Sequence, residues 1–245
     1  MPGLAKALIQ SWIRGPSILT SRSGPGFRAA VTIQKTPIDW NGNRIFILSP
    51  ARASGIRANQ ITSPRAEFDL AKQLRQRGAA LGDVFSFISG LYFRGKWAYA
   101  RAFAAPPANL AGAYVITASA GLLPPETHVT LDELFRICAG DVHLENPLYR
   151  QPLERDLRKL SRQAGSECEF VLLGSIATPK YVEPMLEILR DRLVFPVEFI
   201  GRGDMSRGGL LLRAASAGTQ LTYVQLGTAS RHGPRPPKLA RRQSA

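Results

Sequence analysis

EFVLLGSIATPKYVEPMLEILRDR (169–192) decides the fold. Its first seven residues, EFVLLGS (169–175), form a short apolar run, which predicts a strand buried on both faces. A loop of small residues follows. Thr178 stands at an N-cap position with Pro179 after it, so a helix is predicted over 179–192, bent at Pro184. A buried strand that passes through a tight loop into an amphipathic helix is one unit of an α/β sheet.

Working outward, the same alternation recurs. RIFILS (44–49) and AYVITA (113–118) read as two more buried strands. AEFDLAKQLRQR (66–77) places Phe68, Leu70, Ala71 and Leu74 on one helical face. Residues 81–104 read as two helical pieces broken near Gly90. TLDELFRICA (130–139) opens with Thr130 and Glu133 in capping-box spacing. PLERDLRKLSRQAG (152–165) has Pro early and Gly at its end, as helices do. LVFPVEFI (193–200), GGLLLRAA (208–215) and LTYVQL (221–226) are predicted strands, the last two joined as a hairpin through SAGTQ. The expected fold is therefore α/β: a mixed, mostly parallel sheet flanked by helices, with a C-terminal β-hairpin and flexible basic ends. No internal repeat is visible.

The chain has 245 residues, of which 44% are hydrophobic, enough for one core without a disulfide or metal. No apolar run approaches the length of a membrane span. The net charge of +14 points to an anionic partner, but it is unevenly placed. Residues 1–38 carry +5 and residues 205–245 carry +7, both without an acid, and the stretch between them carries only +2. This divides the chain into a poorly ordered basic extension (1–40), a single α/β domain (41–227) and a basic, Pro-rich tail (228–245). The extension has the composition of a transit peptide, and an upstream misassigned start would look the same. It also carries Leu4, Leu8 and Trp12 at the spacing of a short helix near 4–13. Cys138 and Cys168 lie in apolar company and belong to no paired spacing, so they read as buried small hydrophobes in a reducing, cytoplasmic setting. His128, His143 and His232 are scattered, and neither a metal nor another cofactor is expected.

Two segments carry ligand chemistry. In LLGSIATPKY (172–181), the carboxyl end of a strand meets a helix N-terminus, with Ser175 and Thr178 hydroxyls and the Lys180 charge. It lacks the Walker spacing, and a simply capped helix would look similar. In FIGRGDMSRGG (199–209), Arg202, Ser206 and Arg207 sit in a glycine-rich loop suited to phosphate, with Asp204 to orient an arginine. An ordinary turn is the alternative, and the embedded RGD is read as coincidence. Ser49 and Arg52 stand after the first strand, where an α/β sheet keeps its ligand loops. Arg94 and Lys96 interleave with Tyr92, Phe93, Trp97 and Tyr99, a pattern that suits nucleic acid, although aromatics at this spacing more often form core. Asp204, Lys180 and His128 are the weak catalytic candidates, and no acid–base pair is defined by spacing.

Read in order, these pieces resemble the YaaA family of bacterial peroxide-stress proteins. ILSPAR (47–52) resembles its first strand and SPAK-type loop, and VITASAGLLPP (115–125) its Ser-Gly-Leu-Tyr-type loop. GSIATPKY (174–181) resembles its strand–helix junction, and RGDMSRGGLLLR (202–213) its basic Ala-Arg-Gly-x-Met-x-Arg-type segment. The matches keep their order through about residues 44–213. Arg52 stands where the family has lysine and Lys180 where it has glutamate, which describes a relative outside the main family. The resemblance implies cytoplasmic DNA binding in a positively charged cleft and a role in oxidative stress. By position, Ser49, Arg52, Gly121, Ser175, Tyr181, Arg202, Met205 and Arg207 would line or support that cleft. Two other classes stay open. One is an enzyme acting on a nucleobase, nucleoside or phosphorylated small molecule in the same cleft. The other is an interaction protein using its basic tails.

Overall fold

RIFIL forms strand β1 (Arg44–Leu48) and EFVLL forms strand β6 (Glu169–Leu173), every residue of both buried. Runs of this kind are stable only in the middle of a sheet covered on both faces, and that is where they lie. The computed structural model describes residues 42–239. The expected N-terminal extension and its short helix lie outside these residues. In chain order, β1 is followed by helices α1 (Ile56–Thr62) and α2 (Asp69–Gln76), strand β2 (Ala79–Ala80) and helices α3 (Leu81–Ser89) and α4 (Leu91–Phe103). Strands β3 (Ala113–Ile116), β4 (Leu122–Leu123) and β5 (His128–Val129) then precede helices α5 (Leu131–Cys138) and α6 (Pro147–Ala164). After β6 come helix α7 (Pro179–Leu189), strand β7 (Leu193–Pro196), helix α8 (Asp204–Ala217) and strand β8 (Tyr223–Gln225).

The main sheet has six strands in the order β4-β3-β1-β6-β7-β8. The four inner strands are parallel, and the two edge strands, β4 and β8, run antiparallel to their neighbours. The fold is thus α/β with a mixed sheet flanked by helices. A second, two-stranded ribbon pairs β2 with β5. From β1 the chain moves to β3 on one side, and later returns to β6 on the other. β1 and β6 therefore flank the point at which the winding reverses, the place where sheets of this kind hold a ligand crevice at the carboxyl ends of their strands.

The capping box is present in both halves: the Thr130 hydroxyl accepts from the Glu133 N–H, and the Glu133 carboxylate accepts from the Thr130 N–H. The break at Gly90 is also observed, with φ at 62° between α3 and α4.

Three readings are corrected, the first being that the strand expected over 193–200 ends at Pro196 and gives way to a 3-10 turn over Val197–Phe199. Residues 208–215 are not a strand but most of α8, so there is no hairpin between 208–215 and 221–226; β8 pairs with β7 instead. A short apolar run such as GGLLLRAA fits a strand or a buried helix equally well, and here the backbone-to-backbone packing against α4 decides for the helix. Helix α6 starts at Pro147 under an Asn146 cap, so Pro152 lies inside it rather than at its start. α1 is a short helix that no cap signal announces: its N-cap is Gly55, with no side-chain bond. Residues 228–239 have no regular secondary structure, yet they pack on the protein: a Cβ on Gly201 would lie 3.0 Å from the Pro236 ring.

Glycines set the approach of α4 and α8. A Cβ on Gly95 would stand 2.5 Å from the Gly208 carbonyl oxygen, and one on Gly208 would stand 2.8 Å from the Tyr92 Cα. The two backbones touch, so Tyr92 and Lys96 on α4 are carried against the first turn of α8. At the other end of the sheet, Arg44 and Glu169 form a buried pair at 3.0 Å, and Arg44 lies over the Tyr223 ring.

Candidate functional site

Arg44 through Leu48 pair in register with Glu169 through Leu173, and the Ser49 N–H donates to the Leu173 carbonyl at 3.2 Å. The next two residues, Ser49 and Gly174, therefore stand side by side at the mouth of the crevice. Only glycine fits beside Ser49, because a Cβ at 174 would lie 2.9 Å from the Ser49 Cβ and 3.1 Å from its Oγ.

Lys96 enters this point from α4. It is 1% exposed. Its Nζ donates to the Ser49 carbonyl at 2.5 Å and lies 2.9 Å from the Ser49 Oγ. Its head also lies over the rings of Tyr92 (4.5 Å) and Phe93 (4.9 Å). No carboxylate lies within 4.0 Å of it among the described residues. Burial pushes the ammonium down to about 7, with the charge of Asp204 opposing.

Arg207 enters from the first turn of α8 and is 9% exposed. Its guanidinium donates to the Phe199 carbonyl through Nε (3.3 Å) and Nη2 (3.0 Å), and to the Gly174 carbonyl through Nη1 (3.3 Å). It thereby joins the segments after β6 and β7. Its nearest carboxylate is Asp204, at 4.0 Å. The Tyr92 hydroxyl is buried; it makes no hydrogen bond of full geometry among the described residues, and the Arg207 guanidinium is its close polar neighbour. Burial raises the Tyr92 phenol well above its ordinary value. Burial also pushes Tyr181 up to about 12; the Asp204 charge adds to this and the Arg52 charge opposes it, so Arg52 and Tyr181 belong to the same electrostatic neighbourhood.

The loop 174–178 closes the site. The Ser175 and Thr178 hydroxyls hydrogen-bond each other. Thr178 is the N-cap of α7, as expected, but its side chain does not cap the helix. The backbone N–H groups of Ser175, Ile176 and Ala177 donate to no described residue. The Lys180 turn is held by the Tyr149 hydroxyl, which donates to the Lys180 carbonyl at 2.8 Å. The Lys180 ammonium lies over the Tyr181 ring at 5.4 Å.

The sequence-derived candidates thus separate. Ser49, Arg52, Lys96, Ser175, Tyr181, Asp204 and Arg207 fall into one neighbourhood, with Thr178 and Lys180 at its edge. Arg202 has a structural role: its guanidinium donates to the Glu198 carbonyl, the Ser206 hydroxyl and the Pro237 carbonyl, so Ser206 is engaged as well. Arg94 is exposed on α4, and its side chain bonds to none of the described site residues. His128 sits exposed in β5 of the small ribbon. Gly121 supports α6 rather than a ligand, with a Cβ there colliding with the Pro152 carbonyl at 2.6 Å. Met205 is exposed at the start of α8. Both cysteines are buried, which pushes Cys138 up to about 12 and Cys168 up to about 11 and leaves them unreactive.

No protein-family model, curated protein or solved structure matches the chain. The site is therefore read from its own geometry. The burial of the Tyr92 hydroxyl beside Arg207 and the buried state of Lys96 are what sequence reasoning misses. A signal for the lysine does exist: Tyr92, Lys96, Tyr99 and Phe103 recur at intervals of four, three and four, which puts Lys96 on the apolar stripe of α4. Among the described residues, no group of three or more His, Cys, Asp or Glu side chains is placed to hold a metal, and no helix is long and apolar enough to cross a membrane.

Proposed function

We propose that the chain binds DNA or a nucleotide-type anion in the crevice at the carboxyl ends of β1 and β6, as a cytoplasmic protein with the stress-related role that the YaaA resemblance implies. Arg207 is the observation that carries this reading. A guanidinium 9% exposed loses several kcal/mol of hydration; three carbonyl bonds offset part of this but leave its charge without a buried counter-ion among the described residues. Among the described residues the one carboxylate within 4.0 Å, Asp204, is itself mostly exposed. A phosphate oxygen in the crevice would meet this charge and the free N–H groups of 175–177, which together suit an anion. Arg52 and Lys180 would meet further phosphates at the rim.

The test is fluorescence anisotropy with labelled single-stranded and duplex DNA and with labelled ATP, from 50 to 200 mM salt. Arg207 and Arg202 are poor choices for substitution because both hold carbonyls in place. An Arg52→Ala/Lys180→Ala variant is expected to bind about tenfold or more weakly, with the log–log salt slope lower by about one for each phosphate left without its cation. Unchanged affinity and slope for every probe would overturn the reading.

A further inference from the structure

A serine just past the carboxyl end of a central parallel strand, 6% exposed and with a buried lysine amine 2.9 Å from its hydroxyl, is an arrangement for chemistry as well as for binding. We propose that Ser49 is a nucleophile and Lys96 its general base, and that the pair hydrolyses a carboxylic ester through an acyl-Ser49 intermediate.

Three features support the assignment. Lys96 Nζ has two oxygen neighbours, the Ser49 carbonyl and the Ser49 hydroxyl. As an ammonium it donates to both; once neutral it still donates to the carbonyl and can turn its lone pair to the hydroxyl proton. The surroundings favour that neutral form. Burial of the amine among Tyr92 and Phe93 opposes its charge, while Asp204, the ring faces and the Ser49 oxygens favour the ammonium, and burial is the larger effect. The third feature is Gly174. The Gly174 backbone packs directly against the Ser49 side chain, and the adjoining N–H groups of Ser175 and Ile176 donate to no described residue, so they are available to a developing oxyanion.

The chemistry balances without a cofactor. Lys96 takes the Ser49 proton as the Oγ attacks the carbonyl carbon. The tetrahedral intermediate collapses, its bond to the alcohol oxygen breaks, and the departing alcohol takes the proton from Lys96. Water then attacks the acyl carbon while Lys96 accepts its proton. The bond to the Ser49 Oγ breaks, Ser49 recovers the proton, and the acid is released. The proposal rests on Ser49 and Lys96 and stands whether or not the crevice also takes a phosphate.

The full chain is incubated with a fluorophosphonate probe, and the adduct is located by peptide mass mapping. In parallel, p-nitrophenyl acetate hydrolysis is followed from pH 5.5 to 9. One adduct is expected at Ser49, absent in Ser49→Ala, with a labelling rate that rises with pH through about 7 and then levels. Lys96→Met, which keeps an unbranched chain in the aromatic enclosure, is expected to label about 100-fold more slowly or worse. Thermal unfolding checks that each variant is folded. If Lys96→Met does not fold, the Ser49→Ala result and the pH profile decide. A folded chain that acquires no Ser49 adduct at pH 8, or labels equally fast with and without Lys96, overturns the proposal. A flat pH profile overturns the role of Lys96 as base.

Discussion

An ammonium group sealed between a strand end and two aromatic rings has given up its hydration, and for Lys96 this ties stability to pH. Its folded value of about 7 lies below the ordinary 10.5. Between these two pH values the unfolded chain carries a proton that the folded chain lacks, so this lysine's contribution to stability increases as pH rises and is lost as pH falls through 7. The difference in urea-unfolding free energy between the native chain and Lys96→Met should therefore shift toward the native chain by about 1 kcal/mol per pH unit from pH 7 to pH 9. A constant difference would show that the amine keeps its ordinary protonation. Comparison with the variant matters because buried Tyr92, Tyr149 and Tyr223, all raised by burial, pull the native chain the other way above pH 10. Residue type was legible in the sequence at this site, but setting was not. As sequence, Arg202 and Arg207 are equivalent phosphate binders in one glycine-rich loop. Both turn to carbonyls of their own chain, Arg202 partly buried and Arg207 buried, because of loops that meet only in the folded state.

Elements follow the sequence closely where one local rule acts alone. β1, β3 and β6 stand where the apolar runs put them, the α5 cap is the Thr130–Glu133 box, and α3 and α4 separate at Gly90. Local pattern misleads at α8, where tertiary contact decides between strand and helix. The same contact gives a clean prediction. Gly95→Ala and Gly208→Ala each force a methyl group onto a facing backbone, 2.5 Å from the Gly208 carbonyl oxygen in one case and 2.7 Å from the Leu91 carbonyl oxygen in the other. Since backbone cannot swing aside as a side chain does, each substitution should cost about 1–3 kcal/mol in chemical denaturation. Alanine favours a helix by almost 1 kcal/mol over glycine when exposed, so a stabilising result would show that the helices stand further apart. Parting them would also withdraw Lys96 from Ser49, and Ser49 labelling should fall with stability.

Over the whole molecule, charge divides by position. The net charge of +14 gathers at the two ends of the chain, so salt-dependent binding to any polyanion will include a tail contribution that Arg52→Ala/Lys180→Ala leaves untouched. The sheet has its own polarity: the crevice lies at the carboxyl ends of β1 and β6, and the Arg44–Glu169 pair lies at their amino ends. Removing one partner leaves an uncompensated buried charge, so Glu169→Ala should lower the unfolding free energy by about 3–5 kcal/mol, read from urea unfolding. A loss below 1 kcal/mol would mean that water reaches Arg44. The pair bears equally on how the chain assembles. RIFIL and EFVLL are nearly featureless apolar runs, and either could slide along the other with little change in buried surface. A slip of one residue turns each side chain to the opposite face. Arg44 and Glu169 would then be stranded apart among apolar neighbours, and Ser49 would lose its place beside Gly174. Two charges at the far end of the sheet thus act as an assembly check, accepting the one alignment in which the crevice exists.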